Sequence, residues 1–124
     1  MKYWLALVLL LPLTVAAKTG EELLADCRHA TSPPSGEQGD EAGRIAAAKC
    51  LAFLQGFGGA DALSPLTRKG RRMFCIPKTE SLREAARRTV DWMDANPGKL
   101  HFGAHEVLAM ANIVNYPCTA PTRP

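Results

Sequence analysis

His101 and His105 stand four residues apart, the spacing with which one helix face can offer two imidazoles to a metal. Phe102 occupies the position where a metalloprotease motif needs its glutamate, and no third ligand is obvious. The pair reads as helix-surface histidines, and no metal is expected. Cys27-Arg28-His29 brings a thiol near an imidazole, but a cysteine engaged in a disulfide cannot serve as nucleophile. Gln55-Gly-Phe-Gly-Gly59 has the glycines of a phosphate loop without a preceding strand or the P-loop lysine. Asp91 and Asp94 fall on what reads as a charged helix surface. No constellation here carries catalysis, so the expectation is a protein that is not an enzyme and needs no cofactor.

The element that would position these residues is the run from Glu41 to Asp61. At 100° per residue, Ile45, Ala46, Ala47, Ala48, Leu51, Ala52, Phe53, Leu54 and Phe57 surround the helix, with Lys49 and Gln55 as the interruptions. That pattern predicts a central helix buried on every side, covered by the rest of the chain. Gly56 and Ala60, with Gly59 beside them, predict a patch where another backbone comes close. Asp40 is placed to cap this helix.

Thr19 and Glu22 have capping-box spacing and start a first helix over about 20–30, with Leu23, Leu24 and Cys27 at helical spacing. The prolines and glycines of Thr31–Gly39 predict a loop. Thr79 or Ser81, the latter with Glu84, caps a third helix whose stripe is Leu82, Ala85, Ala86, Val90 and Met93. Trp92 sits at the margin of that stripe, either as a lid on the core or as an anchor for a partner. Asn96-Pro97-Gly98 ends the helix, with room for a short extra turn. The last helix is expected from Phe102 to Asn115, burying Ala104, Val107, Leu108, Ala111 and Val114. Nothing alternates convincingly at period two. The fold class is a small all-α, disulfide-stapled bundle of four to five helices around a buried central helix.

The chain opens Met-Lys-Tyr-Trp, runs through apolar Leu5–Leu13 and reaches Thr14-Val-Ala-Ala17. This is the pattern of a secretory signal peptide over 1–17, too short to span a bilayer, leaving a single domain over 18–124. Losing Lys2 leaves 14 basic against 12 acidic residues, a balance that predicts neither nucleic acid nor an anionic membrane as partner. Four cysteines, Cys27, Cys50, Cys75 and Cys118, remain in an exported domain and predict two disulfides. Four cysteines allow three pairings; the expected one joins Cys27 to Cys50 and Cys75 to Cys118. Between Ser64 and Met73 lies a basic loop with Arg68, Lys69, Arg71 and Arg72, either solvated or in contact with a partner.

The landmarks also follow a familiar order. Cys50-x-x-Phe53-x-x-Gly56 runs to Ala60-Asp61, then Phe74-Cys75-Ile76-Pro77 precedes a capped helix. Asn96-Pro97-x-x-Leu100-His101 follows, and Tyr116-Pro117-Cys118 closes the series. Over about 21–118 this resembles the Tai/Rap-type immunity proteins, named for protecting bacteria against type VI secretion amidases. It departs in Phe53, where an aromatic hydroxyl is usual, in Tyr116, where Phe is common, and in its basic loop. The resemblance implies a periplasmic, disulfide-bonded helical protein that binds and blocks a cognate peptidoglycan amidase, in some members as a homodimer. The contact residues expected here are Arg68, Lys69, Arg71 and Arg72, helped by Trp92. The alternative is a periplasmic stress or chaperone-like helical protein, also without catalytic activity.

Overall fold

The computed structural model describes residues 17–32, 40–64 and 71–119. The signal-peptide reading of 1–17, most of the Thr31–Gly39 loop, Arg68, Lys69 and the last residues to Pro124 lie outside the described residues. Within them the structure is helical: α1 (Gly20–Thr31), α2 (Glu41–Leu63), α3 (Leu82–Ala95) and α4 (Ala104–Asn115), with a 3-10 turn at Pro97–Lys99.

Local chemistry starts each helix where the sequence predicts, with one exception. Thr19 accepts the Glu22 N–H while the Glu22 carboxylate accepts the Thr19 N–H, a complete capping box. Asp40 accepts the Gly43 N–H at 2.9 Å, and Ser81 accepts the Glu84 N–H at 3.1 Å. The exception is α4, which begins at Ala104 rather than Phe102. There the Glu106 carboxylate reaches back to the Gly103 N–H at 2.9 Å.

Both disulfides have the expected pairing, Cys27–Cys50 and Cys75–Cys118. The first joins α1 to α2 inside the core, where both cysteines are fully buried. The second ties the segment after α2 to the chain leaving α4, and its Cys118 is exposed. With sequence separations of 23 and 43, the chain-entropy model assigns them about 3.4 and about 4 kcal/mol.

The core is Leu23, Leu24 and Cys27 of α1, Cys50 and Leu54 of α2, Ala86, Val90 and Met93 of α3, and Val107 and Leu108 of α4. Helix α1 packs on all three other helices, whereas α2 and α4 make no extended contact with each other. The first turn of α1 is the tightest junction. Gly20 donates to the Phe102 carbonyl at 2.9 Å, and a Cβ on it would stand 2.7 Å from Val107 Cγ2 and 2.8 Å from the Leu100 oxygen.

Two expectations are corrected here. Helix α2 is not enclosed: among its 23 residues only Cys50, Leu54 and Asp61 are buried, while Ile45 is 48% and Leu63 63% exposed. Ala48, Ala52, Gly56 and Ala60 form an exposed row, and nothing lies within 4 Å of a Cβ built on Gly56. The physical reason is that Ala and Gly bury too little area to demand cover, so an all-round apolar composition made from them does not force enclosure. The close-approach glycine is Gly20. In α4, Val114 is 63% exposed, and Asn112 takes the buried place one turn after Leu108.

Candidate partner-binding face

The basic loop leaves α2 and returns through a small polar anchor. Asp61, one turn from the end of α2, is buried, with 1% of its side chain exposed. One carboxylate oxygen accepts the Met73 N–H at 3.0 Å, and the other lies 3.4 Å from Arg72 Nε. Ser64 Oγ donates to the Arg71 carbonyl at 3.0 Å. A buried carboxylate thus ties the last turn of α2 to the chain that resumes at Arg71. Beneath it Phe74 is fully buried and stacks on Phe57 at 5.8 Å between centroids.

Beyond Met73 the chain is held twice: Cys75 is bonded to Cys118, and its N–H donates to the Tyr116 carbonyl at 2.8 Å. Tyr116 is buried and donates its hydroxyl to Glu80 Oε1 at 2.9 Å. Arg88 Nε donates to the same oxygen at 3.0 Å, and its guanidinium lies 5.9 Å from the Tyr116 ring centre. Burial first, then the hydrogen bond to Glu80 and that carboxylate's charge, pushes the Tyr116 phenol well above its ordinary value.

Between α2 and α4, floored by the start of α3, is a groove of about 210 Å³. Leu54, Ile76, Leu82 and Ala85 give it apolar walls, Gly58 and Gly59 leave its α2 side low, and Gln55, Glu80, Ser81 and Asn112 are its polar members. Gly58 lies three residues, about 4.5 Å of helix rise, before Asp61. The groove and the base of the basic loop are therefore neighbours along α2.

Of the residues predicted to contact a partner, Arg71 and Arg72 are exposed on this face, and Arg72 is also tethered to Asp61. Arg68 and Lys69 belong to the segment outside the described residues. Trp92 is not brought to this face. It is half-buried, packs against the core as a lid, and lies two turns beyond Ala85 on α3. His101 and His105 are both exposed, the former against the Phe102 ring at 4.1 Å. Among the described residues no three His, Cys, Asp or Glu side chains gather as a metal site, and no helix is long and apolar enough to cross a membrane.

The sequence reading missed Asp61 as an anchor and missed Asn112 and Glu80 altogether. Asp61 has a visible signal, an acid at the end of an apolar helix. Asn112 has one too: a polar residue placed on the buried stripe of α4. No curated protein matches the chain. A family model described as Rap1a immunity proteins matches residues 19–118, a span that takes in all four helices and both disulfides. The chain belongs to the Rap1a immunity protein family.

Proposed function

We propose that this protein is a periplasmic immunity protein that binds a cognate peptidoglycan amidase of type VI secretion and inhibits it stoichiometrically, without chemistry of its own. The observation that carries the reading is the family match over residues 19–118. Two disulfides fit an oxidising compartment, reached by the leader over 1–17. The contact surface is the basic loop with its exposed Arg71, continued by the groove beside it. A loop tied at its base by Asp61 and Cys75 loses less freedom on binding than a free one, and its cations speed encounter with an acidic cleft.

The test is a calorimetric titration against an amidase encoded beside this gene, with peptidoglycan hydrolysis followed in parallel. Charge reversal at Arg68, Lys69 and Arg71 is expected to weaken binding and make it less sensitive to salt, with the helical circular dichroism unchanged. Arg72 is left intact, because a glutamate there would face buried Asp61. Light scattering on the complex gives the number of copies and decides whether the protein acts as a homodimer. An amidase that stays fully active with excess protein would end the immunity reading. One neutralised equally by the charge-reversed protein would move the contact off the loop.

A further inference from the structure

Just before α1 the chain changes character at one peptide bond. Ala17 is exposed and makes no hydrogen bond with a described residue. From Lys18 onward the backbone is committed. The Lys18 carbonyl accepts the Ala104 N–H at 2.8 Å, and Thr19 forms an isolated antiparallel bridge with Gly103. The Thr19 N–H donates to Glu22 Oε2 at 2.8 Å, and the Thr19 carbonyl accepts the Leu23 N–H at 3.0 Å. The Gly20 N–H then donates to the Phe102 carbonyl at 2.9 Å. Every backbone polar group from the Lys18 carbonyl to the Gly20 N–H is thus used inside the fold.

The side chains hold this segment as firmly. Lys18 Nζ pairs with Asp26 at 2.5 Å and lies 5.7 Å from the centre of the Phe53 ring, with 26% of the side chain exposed. Thr19 caps α1, and Gly20 has no room for a Cβ against Val107 and Leu100. A peptidase takes its substrate as an extended strand, pairing its own edge with backbone groups on both sides of the bond. In the folded chain the groups that follow Ala17 are already taken. Reaching them means pulling Lys18 and Thr19 off the 102–104 segment and stripping the cap from α1.

We infer that the Ala17–Lys18 bond is a signal-peptidase site open only in the unfolded chain, and that Lys18 becomes the docked N-terminus of the mature domain. Val15 and Ala17 are the small residues such an enzyme selects on the departing side. Hydrolysis consumes one water and leaves a carboxylate on Ala17 and an amine on Lys18. This cut removes no hydrogen bond or ion pair among the described residues. A cut after Thr19 would remove both the α1 cap and the Lys18–Asp26 pair. The seat for Lys18 and Thr19 is built from residues 102–104, which cross the membrane only after most of the chain. The bond therefore stays accessible until then. The inference rests on the leader reading above and does not need the immunity one.

The experiment presents the full precursor, in detergent micelles, to a purified bacterial signal peptidase and follows intact mass. Precursor folded with both disulfides formed is compared with precursor reduced and alkylated, its lost tertiary structure checked by near-ultraviolet circular dichroism. The alkylated chain is expected to give a product beginning at Lys18. The folded chain should be cut at least about tenfold more slowly, because cutting tracks the fraction of time the junction stands open. A flexible Gly-Ser spacer inserted between Ala17 and Lys18 moves the bond away from the fold and should restore cutting of the folded chain. Folded precursor cut as fast as alkylated, or a folded spacer precursor that still resists, would overturn the seal. A product beginning at any residue other than Lys18 would overturn the assigned bond. An alkylated precursor left uncut removes the leader and this proposal together, and leaves the immunity reading to its own titration.

Discussion

The carboxylate of Asp61 accepts the backbone N–H of Met73, twelve residues later, from a position almost wholly out of water. Together with the Ser64–Arg71 bond and the Arg72 pairing, this contact closes the base of the basic loop. Asp61→Ala leaves the Met73 N–H without its acceptor and Arg72 without its counter-charge. We expect a loss of about 2 to 3 kcal/mol, in the range for hydrogen bonds to charged groups, read from urea unfolding. A loss under about 0.5 kcal/mol would mean that water replaces the carboxylate and that the anchor is incidental.

Gly20 and Gly56 should respond oppositely to the same change. Gly20→Ala drives a methyl to within 3 Å of Val107 and the Leu100 carbonyl, and overpacking of this kind costs about 1 to 3 kcal/mol. Gly56→Ala meets nothing within 4 Å and removes a flexible residue from mid-helix, so it should stabilise by about 0.5 to 1 kcal/mol. Thermal melts of the two variants rank them directly. Equal destabilisation would restore an enclosed α2.

Alkaline pH isolates Tyr116. Its folded-state phenol titrates above the ordinary value of about 10. The folded chain thus holds that proton more tightly than the unfolded one. The contribution is whole below about pH 10 and declines as pH rises beyond it. Tyr116→Phe should flatten this part of the stability profile. A wild-type profile no steeper than that of Tyr116→Phe above pH 10 would contradict the environment described for this residue.

The two disulfides should yield to a reductant one at a time. Cys118 is exposed and Cys75 partly so, whereas Cys27 and Cys50 are sealed. Mild dithiol treatment followed by maleimide labelling is expected to modify Cys75 and Cys118 first. The loss should approach about 4 kcal/mol, with most helix retained. First labelling at Cys27 or Cys50 would place the weak point in the core instead.

What could be read before the structure was local. Thr19 with Glu22, Asp40, and Ser81 with Glu84 act within four residues, so spacing alone located three helix starts. The stripe of α3 was legible because it contrasts with Arg83, Arg87 and Asp91 on the outside. Helix α2 lacks such contrast: alanine and glycine are content in water or under cover, so the pattern could not say which side faces in. The groove was illegible for another reason. It is a gap left where α2 and α4 fail to meet, and Glu80 and Asn112 approach it from elements 32 residues apart. Trp92 left both readings open, since a large aromatic at a stripe's edge looks alike whether it closes a core or seeks a partner, and the structure packs it against the core.

The order of the cysteines along the chain has a consequence for biogenesis. Cys27 pairs with the next cysteine, Cys50, and Cys75 pairs with the next after it, Cys118; the two loops neither cross nor nest. In a chain threaded through a membrane from its N-terminus, each thiol meets its proper mate as the first newcomer to arrive. An oxidase that simply joins cysteines in the sequence of their emergence then produces the correct molecule, with no shuffling left for an isomerase to do.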